Sequence, residues 1–230
     1  MSEMIDVRGL NKEFGTKIKV QAVKDVFMKV VEGEVVMILG PSGSGKTTLL
    51  SMIGCILTPT SGEIYIDGQR ISGLQEKELP KIRKQKIGFV FQSFNLLKSL
   101  TAQENVEAAL NLNGTNGREA KAKAKELLTE VGLSERLDFY PSELSGGEKQ
   151  RVSIARAIAN NPKIILADEP TGNLDSKTGQ KIGSLLRDLA KNYEKTVVIV
   201  THDNRIETLA DRIIHFEDGA VQSETQGGGD

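Results

Sequence analysis

The sequence lacks several features that would indicate a secreted, membrane-spanning or nucleic-acid-binding protein. It holds a single cysteine, Cys55, so no intramolecular disulfide can form, which fits a reducing compartment. We expect Cys55 to be a small buried apolar residue. No run of about 18 apolar residues is present, so we expect no transmembrane helix, and residues 1–6 do not resemble a signal peptide. If the protein works at a membrane, another chain must supply the membrane part.

An excess of charge of either sign is also missing. The chain has 30 basic and 31 acidic residues and a net charge of -1, which argues against a dedicated nucleic-acid binder. A chain of 230 residues that is 38% hydrophobic can bury a large core. Long polar linkers and internal repeats are absent, so we predict one domain over residues 1–225. The glycine-rich residues 226–230 are predicted to be a flexible tail.

The hydrophobic pattern predicts an α/β body that is interrupted by a helical segment. Residues 4–10 and 22–31 alternate as strands do, and continuous apolar runs at 35–39, 164–166 and 197–200 indicate strands buried on both faces. Helical spacing dominates 118–131, and helices are also predicted for 176–192 and after the apolar run at 197–200. We therefore assign residues 1–92 and 144–225 to the body and 93–143 to a helical subdomain. The apolar side chains Phe94, Leu96 and Leu97 near its start are expected to be exposed and to suit an interface.

The strongest local motif is a glycine-rich loop that follows the apolar run at 35–39. It has the full Gly-x-x-x-x-Gly-Lys-Ser/Thr spacing, and a predicted helix follows it. Glycines let backbone N–H groups surround an anion, and the helix start is electropositive. We predict that Lys46 reaches the β- and γ-phosphates and that the Thr47 hydroxyl binds Mg²⁺. The predicted nucleotide-binding residues here are Ser42, Gly43, Ser44, Gly45, Lys46, Thr47 and Thr48.

Two carboxylates end the apolar run at 164–166. Asp168 would be costly to bury without a partner, and Mg²⁺ beside Thr47 is a suitable one. Glu169 points elsewhere by strand alternation, so we predict that it polarises the water that attacks the γ-phosphate.

These residues, taken with the segment Leu144-Ser145-Gly146-Gly147-Glu148, resemble the ATP-binding cassette (ABC) ATPases over nearly the whole chain. The resemblance implies a P-loop NTPase body with a mixed sheet, an N-terminal antiparallel β subdomain and an inserted α-helical subdomain. It also implies that Ser145, Gly146, Gly147 and Glu148 bind the γ-phosphate of an ATP held by a second copy. The active form would be a head-to-tail homodimer around two ATP and Mg²⁺.

The resemblance extends to five further positions. Gln92 resembles the glutamine that contacts Mg²⁺ and the attacking water, and His202 resembles the switch histidine at the γ-phosphate. Asp175 lies in the loop that crosses the dimer interface. Phe14 occupies the place of the aromatic that stacks on adenine, with Val20 beside it, although Phe14 could instead be a core residue. Glu148 replaces the more usual glutamine, and we expect a small effect. The other histidine, His215, is expected to be structural.

The motifs around Gln92 and Asp175 resemble the branch that serves lipoprotein release, macrolide export and related efflux. This implies a peripheral ATPase on the cytoplasmic face of the membrane, which drives a separate integral membrane permease. A periplasmic adaptor would be a further partner through the permease, and no nucleic acid is expected to bind. The alternative is a division-associated ATPase that regulates cell-wall hydrolases through its membrane partner. A non-transport cassette ATPase, and a kinase or GTPase that shares only the phosphate loop, are weaker alternatives. A kinase or GTPase of that kind would not explain residues 144–148.

Overall fold

The computed structural model describes residues 2–228, which form ten β-strands and six α-helices. The strands are β1 (Glu3–Phe14), β2 (Val20–Val31), β3 (Val35–Leu39), β4 (Ser61–Ile66), β5 (Gln69–Arg70), β6 (Ile87–Val90), β7 (Ile164–Asp168), β8 (Thr196–Thr201), β9 (Arg212–Glu217) and β10 (Ala220–Gln226). The helices are α1 (Lys46–Ile53), α2 (Leu79–Lys86), α3 (Ala102–Leu112), α4 (Gly117–Glu130), α5 (Gly146–Ile158) and α6 (Ser176–Tyr193). Short 3-10 helices cover Ser134–Arg136, Pro141–Glu143 and Asn204–Leu209.

A mixed six-stranded sheet forms the body, with the strand order β10-β9-β3-β8-β7-β6. Its strands are parallel except β10, which pairs antiparallel with β9. Every residue of β3 and β8 is buried, as expected for central strands covered on both faces. The segments that carry Lys46, Gln92, Glu169 and His202 follow the carboxyl ends of β3, β6, β7 and β8, where open α/β sheets bind their ligands.

A second, antiparallel sheet has the order β2-β1-β4-β5 and contains the N-terminal strands. A turn at Asp67-Gly68 joins β4 to β5, and its two residues have positive φ angles, 50° and 72°. Such angles are typical of the tight turns that join paired strands. The mixed sheet and the antiparallel sheet together confirm the predicted fold class.

The core is divided into two apolar clusters by the six-stranded sheet. Val35 and Met37 of β3 belong to the cluster that also holds the buried residues of α3, α4 and α5. Val36 and Ile38 belong to the other cluster, which α1 and the antiparallel sheet cover. The alternation along β3 therefore connects the body to both neighbouring units. Cys55 is buried in the second cluster, as predicted, and burial raises the pKa of its thiol to about 11.

The segment between β6 and α5 is helical, as the spacing predicted. A capping box formed by Thr101 and Glu104 opens α3, with the Thr101 hydroxyl accepting from the Glu104 N–H. In α4 the predicted apolar residues Leu127 and Leu128 are buried. Val131 follows the last residue of that helix and is buried as well.

Four local features differ from the sequence-based expectations. Helix α2 was not predicted, and the helix expected after β8 is a 3-10 helix, Asn204–Leu209. The segment predicted as a tail begins inside β10, because Gln226 pairs with Arg212. The Gly227 N–H also donates to the Asp211 carbonyl, while residues 229 and 230 lie outside the described residues. Of the apolar side chains at 94, 96 and 97, only Leu97 is exposed.

Candidate functional site

The phosphate loop, defined here as Gly40–Thr47, joins the carboxyl end of β3 to α1, and its glycines are sterically required. A Cβ on Gly40 would lie 1.9 Å from the Phe216 carbonyl oxygen, and one on Gly45 would lie 2.1 Å from the Ala22 oxygen. Gly43 and Gly45 also have positive φ angles, 82° and 101°. The loop is thus packed against β2 and β9 through its backbone.

Lys46 is almost fully buried although it carries a charge. Its Nζ donates to the carbonyl oxygens of Gly40 and Pro41, both at 2.8 Å. Burial lowers the pKa of Lys46, whereas the carboxylates of Glu169 and Asp168 act in the opposite direction. The ammonium therefore lies in the turn of the phosphate loop and close enough to both acids to feel their charge.

Thr47 and Asp168 meet across the ends of α1 and β7. The Thr47 hydroxyl donates to Asp168 Oδ1 at 2.9 Å, and this bond opposes the rise that burial causes in the pKa of Asp168. A hydroxyl and a carboxylate are oxygen ligands of the kind that Mg²⁺ prefers. These two side chains, brought together from positions 121 residues apart, fit a magnesium ion.

Glu169 follows β7 directly and is held by the residues that end β8. Its Oε2 accepts from the Thr201 hydroxyl at 2.9 Å, and its Oε1 lies 2.9 Å from His202 Nδ1. Glu169 has a φ angle of 45°, which is uncommon for a residue other than glycine. The structure therefore brings together the acid and the histidine that the sequence singled out, and adds Thr201.

Gln92 lies in the loop after β6 and is exposed. Its carbonyl accepts from Asn173 Nδ2 at 3.0 Å. A Cβ on Gly172 would lie 3.0 Å from Gln92 Nε2, so the Gln92 amide contacts the segment that follows Glu169. This places Gln92 beside the loop that leads to Asp175.

Ser145 is the N-cap of α5 and forms a capping box with Glu148. Its hydroxyl accepts from the Glu148 N–H at 3.3 Å and donates to Glu148 Oε2 at 2.8 Å. The Ser145 N–H bond is the largest cause that lowers the pKa of Glu148, and Arg136 adds an ion pair at 2.9 Å. Glu148 thus fixes the start of α5 with its carboxylate, a role that the sequence did not indicate.

The signature segment, defined as Leu144–Glu148, packs against residues 173–178. A Cβ on Gly146 would lie 3.2 Å from Leu174 Cδ2, and one on Gly147 would lie 2.5 Å from Thr178 Cγ2. Asp175 is the N-cap of α6 and accepts from the Thr178 N–H at 3.0 Å, a bond that lowers the Asp175 pKa. The signature segment and Asp175 therefore form one group.

Phe14 and Val20 are paired across the end of the β1–β2 hairpin. Both side chains are exposed, Phe14 by 42% and Val20 by 59%, so Phe14 is not a core residue. Lys12 Nζ lies 5.1 Å from the centroid of the Phe14 ring. Ala22 of the same hairpin contacts Gly45, which places the two apolar side chains on an arm attached to the phosphate loop.

Comparison with known proteins assigns the family. The sequence profile described as "ABC transporter" matches residues 23–172, which is more than half of the chain. The chain belongs to the ABC transporter family. An ABC transporter ATP-binding protein of Methanocaldococcus jannaschii, MJ0796, is 51% identical over 227 residues, covering 96% of both chains. The lipoprotein-releasing system ATP-binding protein LolD of Bacteroides fragilis is 46% identical, over 95% of this chain and all of LolD.

Two further relatives extend the comparison. The macrolide export ATP-binding/permease protein MacB of Mannheimia succiniciproducens is 45% identical over 97% of this chain, which corresponds to 35% of MacB. The dimeric structure of the cassette MJ0796 in a post-hydrolysis state, bound to ADP and Pi, superposes with a TM-score of 0.91 and 47% identity. That superposition covers 97% of this chain and 98% of the MJ0796 chain. The chain is thus an ATPase subunit of the ABC transporter family, which binds and hydrolyses ATP.

Within residues 2–228, this ABC ATPase has no helix that is both long and apolar enough to cross a bilayer.

The site also contains polar residues that sequence patterns did not single out. Asp203 accepts from the Thr171 hydroxyl at 2.8 Å and from Arg205 Nε at 2.7 Å, while its N–H donates to the Thr201 hydroxyl. The bond between Thr171 and Asp203 joins residues 32 positions apart, and only their place in the segments that follow β7 and β8 indicated a role.

Proposed function

We propose that two copies of this chain bind head to tail around two ATP molecules and thereby drive a separate membrane permease in export or lipoprotein release. The observation that carries the proposal is the arrangement of the signature segment. Its N-cap, Ser145, is exposed, and the two glycines that follow pack against Leu174 and Thr178, on either side of Asp175. A helix start of this kind binds anions. The anion is then supplied by a nucleotide on another copy, in line with the dimeric cassettes of MJ0796.

Each nucleotide is bound by residues of both copies. The phosphate loop surrounds the β- and γ-phosphates with the backbone of Ser42–Gly45, with Lys46 and with the hydroxyls of Thr47 and Thr48. Phe14 stacks on the adenine with Val20 beside it. Ser145 to Glu148 of the second copy, with Asp175 at the interface, complete the contacts to the γ-phosphate.

Thr47, Asp168 and Gln92 are the residues that would hold Mg²⁺, since all three offer an oxygen atom. The ion, when bound, neutralises phosphate charge that would otherwise repel the attacking water. Asp168 is partly desolvated already, as the rise in its pKa indicates, so a cation beside it is favourable.

Glu169 and His202 carry the hydrolytic step. The Glu169 carboxylate orients a water molecule against the γ-phosphate and accepts its proton. His202 lies 2.9 Å from Glu169 through Nδ1, and its Nε2, when it carries a proton, can donate a hydrogen bond to the transferring phosphoryl group. Thr201 fixes the second carboxylate oxygen, so that the base keeps a single orientation.

Hydrolysis removes the anion that both copies share, and the dimer opens. A groove of about 440 Å³ lies between the loop after Gln92 and the start of α5. We propose that a cytoplasmic helix of the permease docks there and follows the opening, which puts the chain on the cytoplasmic face of the membrane. Its lining residues are Ser93, Phe94, Leu96, Lys98, Pro141, Ser142 and Lys149.

Purification of the chain with its native partner from detergent-solubilised membranes tests this function. We expect one integral membrane permease to co-purify, with or without a periplasmic adaptor, and to accelerate ATP hydrolysis by the chain. A partner that binds cell-wall hydrolases would instead support a division-associated regulator. A chain that co-purifies with no membrane protein, and hydrolyses ATP at full rate as a monomer, would contradict the proposal.

A further inference from the structure

The segment from Gln92 to Leu97, called the Gln92 loop below, is held by side chains from three other elements. Asn173, in the segment before α6, donates to the Gln92 carbonyl at 3.0 Å. Asn105, which is fully buried in α3, accepts from the Leu97 N–H at 2.8 Å and donates to the Leu97 carbonyl at 3.1 Å. Two asparagines therefore bond the two ends of the loop, and a third side chain bonds its middle.

That third residue is Arg156 in the last turn of α5. Its two terminal nitrogens donate to the carbonyls of Asn95, at 2.6 Å, and of Phe94, at 2.8 Å. Both carbonyls belong to residues in the left-handed region, with φ angles of 62° at Phe94 and 47° at Asn95. Two successive left-handed residues other than glycine are costly, above all for a bulky side chain, and persist only when neighbouring groups hold them.

The charge on Arg156 has no balancing carboxylate among residues 2–228. Burial alone lowers its pKa, with no acid acting in the opposite direction. A guanidinium stays protonated in such a place and must satisfy its donors locally. Its planar fork matches a pair of neighbouring carbonyls, which a lysine ammonium does not. An arginine is therefore suited to bonding both carbonyls of this turn at once.

Helix α5 connects this contact to the signature segment. Arg156 lies eleven positions after Ser145, a distance of about 16 Å along the helix at 1.5 Å per residue. We propose that Arg156 is a positioning residue for Gln92: its guanidinium holds the left-handed turn at Phe94–Asn95 and makes α5 and the Gln92 loop move as one unit. The role of Gln92 at the nucleotide rests on the proposed function, whereas the hold on the loop does not.

The test compares Arg156→Gln and Arg156→Lys in the full chain. We expect the amides of residues 93–97 to exchange with solvent at least about tenfold faster in Arg156→Gln. The kcat for ATP should fall about tenfold, because a misplaced loop misplaces Gln92. The Kd for ATP should stay within about twofold, since the phosphate loop belongs to other elements. Arg156→Gln should also lower the melting temperature. Arg156→Lys keeps the charge and should recover the melting temperature, but it should recover only part of kcat because lysine lacks the planar fork.

Arg83→Gln is the matched control. Arg83 also donates to the carbonyl of a left-handed residue, Cys55, at 2.6 Å, but it lies on α2 outside the Gln92 loop. This variant should leave both kcat and the exchange of residues 93–97 unchanged.

Two results would overturn the inference. One is wild-type amide exchange at 93–97 in a folded Arg156→Gln, because the hold on the loop would then be absent. The other is faster exchange with an unchanged kcat, because the loop would then not position Gln92. If Arg156→Gln fails to fold, Arg156→Lys decides by the same two measurements. A wild-type chain that hydrolyses no ATP would refute the proposed function, and the exchange data would still judge the hold on the loop.

Discussion

Glu169 is the residue on which the proposed chemistry depends most. It has an uncommon backbone conformation, and its carboxylate is fixed on one side by Thr201 and on the other by His202. Unusual φ angles that neighbours hold in place are frequent at functional sites. Asp168 is bonded instead to Thr47, so the two adjacent carboxylates have different neighbours and are proposed to serve a cation and a water separately.

Replacing Glu169 with glutamine should slow ATP turnover by at least about a hundredfold, because the amide accepts no proton from water. The amide keeps the shape of the side chain, so ATP still binds and dimers accumulate. Phosphate release and size-exclusion chromatography with ATP measure the two effects. Glu126→Gln, which removes a surface ion pair with Lys123, is the control and should leave turnover unchanged. Wild-type turnover in Glu169→Gln would remove Glu169 from its role.

Asp203 makes a pH-dependent contribution to stability. The bonds from Arg205 lower its pKa to about 2, below the unfolded value of about 3.9. A group whose pKa is depressed in the folded state stabilises the fold above pH 4, and this contribution is lost as the pH falls towards 2. Asp203→Asn should therefore cost about 1 kcal/mol of unfolding free energy at pH 7, a value reduced because Arg205 is partly solvated.

Urea denaturation of wild type and Asp203→Asn between pH 7 and pH 2.5 measures this effect. The difference in unfolding free energy should shrink as the pH falls. Asp188→Asn, at an exposed position on α6, should change the free energy by less than about 0.5 kcal/mol at pH 7. A difference that stays constant down to pH 2.5 would mean that the Asp203 carboxylate is not the cause.

The residues of the phosphate loop could be predicted because glycine, lysine and threonine occur at a spacing that chemistry dictates. Residues such as Thr201, Asp203 and Arg156 could not, because their types are common and each has a partner that lies 32 to 62 positions away in the sequence. Only the fold brings such pairs together. The roles of the predicted residues in binding and hydrolysis stay predictions.

At the scale of elements, α5 begins with a cap that also forms part of the candidate site. The capping box of Ser145 and Glu148 satisfies the first N–H groups of α5. A change at Ser145 therefore has two effects, one on the stability of α5 and one on any contact that the exposed hydroxyl makes. The chain contains a second capping box, Thr101 and Glu104 on α3, which allows these effects to be separated.

Ser145→Arg should block ATP-dependent dimerisation without abolishing ATP binding by the monomer, because a large side chain replaces a small one at the proposed interface. Thr101→Arg is the matched control: it loses an equivalent cap and gains the same charge. Both variants should lose about 1 kcal/mol of stability. Analytical ultracentrifugation with ATP should show dimers for Thr101→Arg only. Dimers of Ser145→Arg would contradict the reading that the signature segment faces a second copy.

Elements could be predicted where their pattern is strong and not where it is weak. The buried strands β3 and β8 are continuous apolar runs, and α4 carries apolar pairs at helical spacing. Helix α2 was missed because it has eight residues and only Ile82 is buried, so no periodic apolar face is present. The segment after β8 has Ile206 as its one buried residue and remains a 3-10 helix.

At the scale of the whole molecule, each proposed nucleotide site is shared by two copies of the chain. The phosphate loop follows β3, whereas the signature segment opens α5 and packs against residues on either side of Asp175. The order of the strands in the sheet could not be predicted, because it is set by pairings between distant segments.

Two impaired variants should therefore restore activity when they are mixed. Lys46→Ala impairs the phosphate loop, and Ser145→Ala removes the hydroxyl of the signature segment without adding bulk that would block pairing. In a head-to-tail pair of the two, one nucleotide site combines both defects, while the other combines the intact phosphate loop of the Ser145→Ala copy with the intact signature segment of the Lys46→Ala copy. With random pairing, the mixed pairs of an equimolar mixture should contribute up to about a quarter of wild-type turnover, because half of the pairs are mixed and each has one intact site. Phosphate release before and after mixing measures this recovery, and a mixture of Lys46→Ala with the double variant is the control. No recovery, in a mixture that chemical cross-linking shows to contain mixed pairs, would mean that each site is built within a single copy.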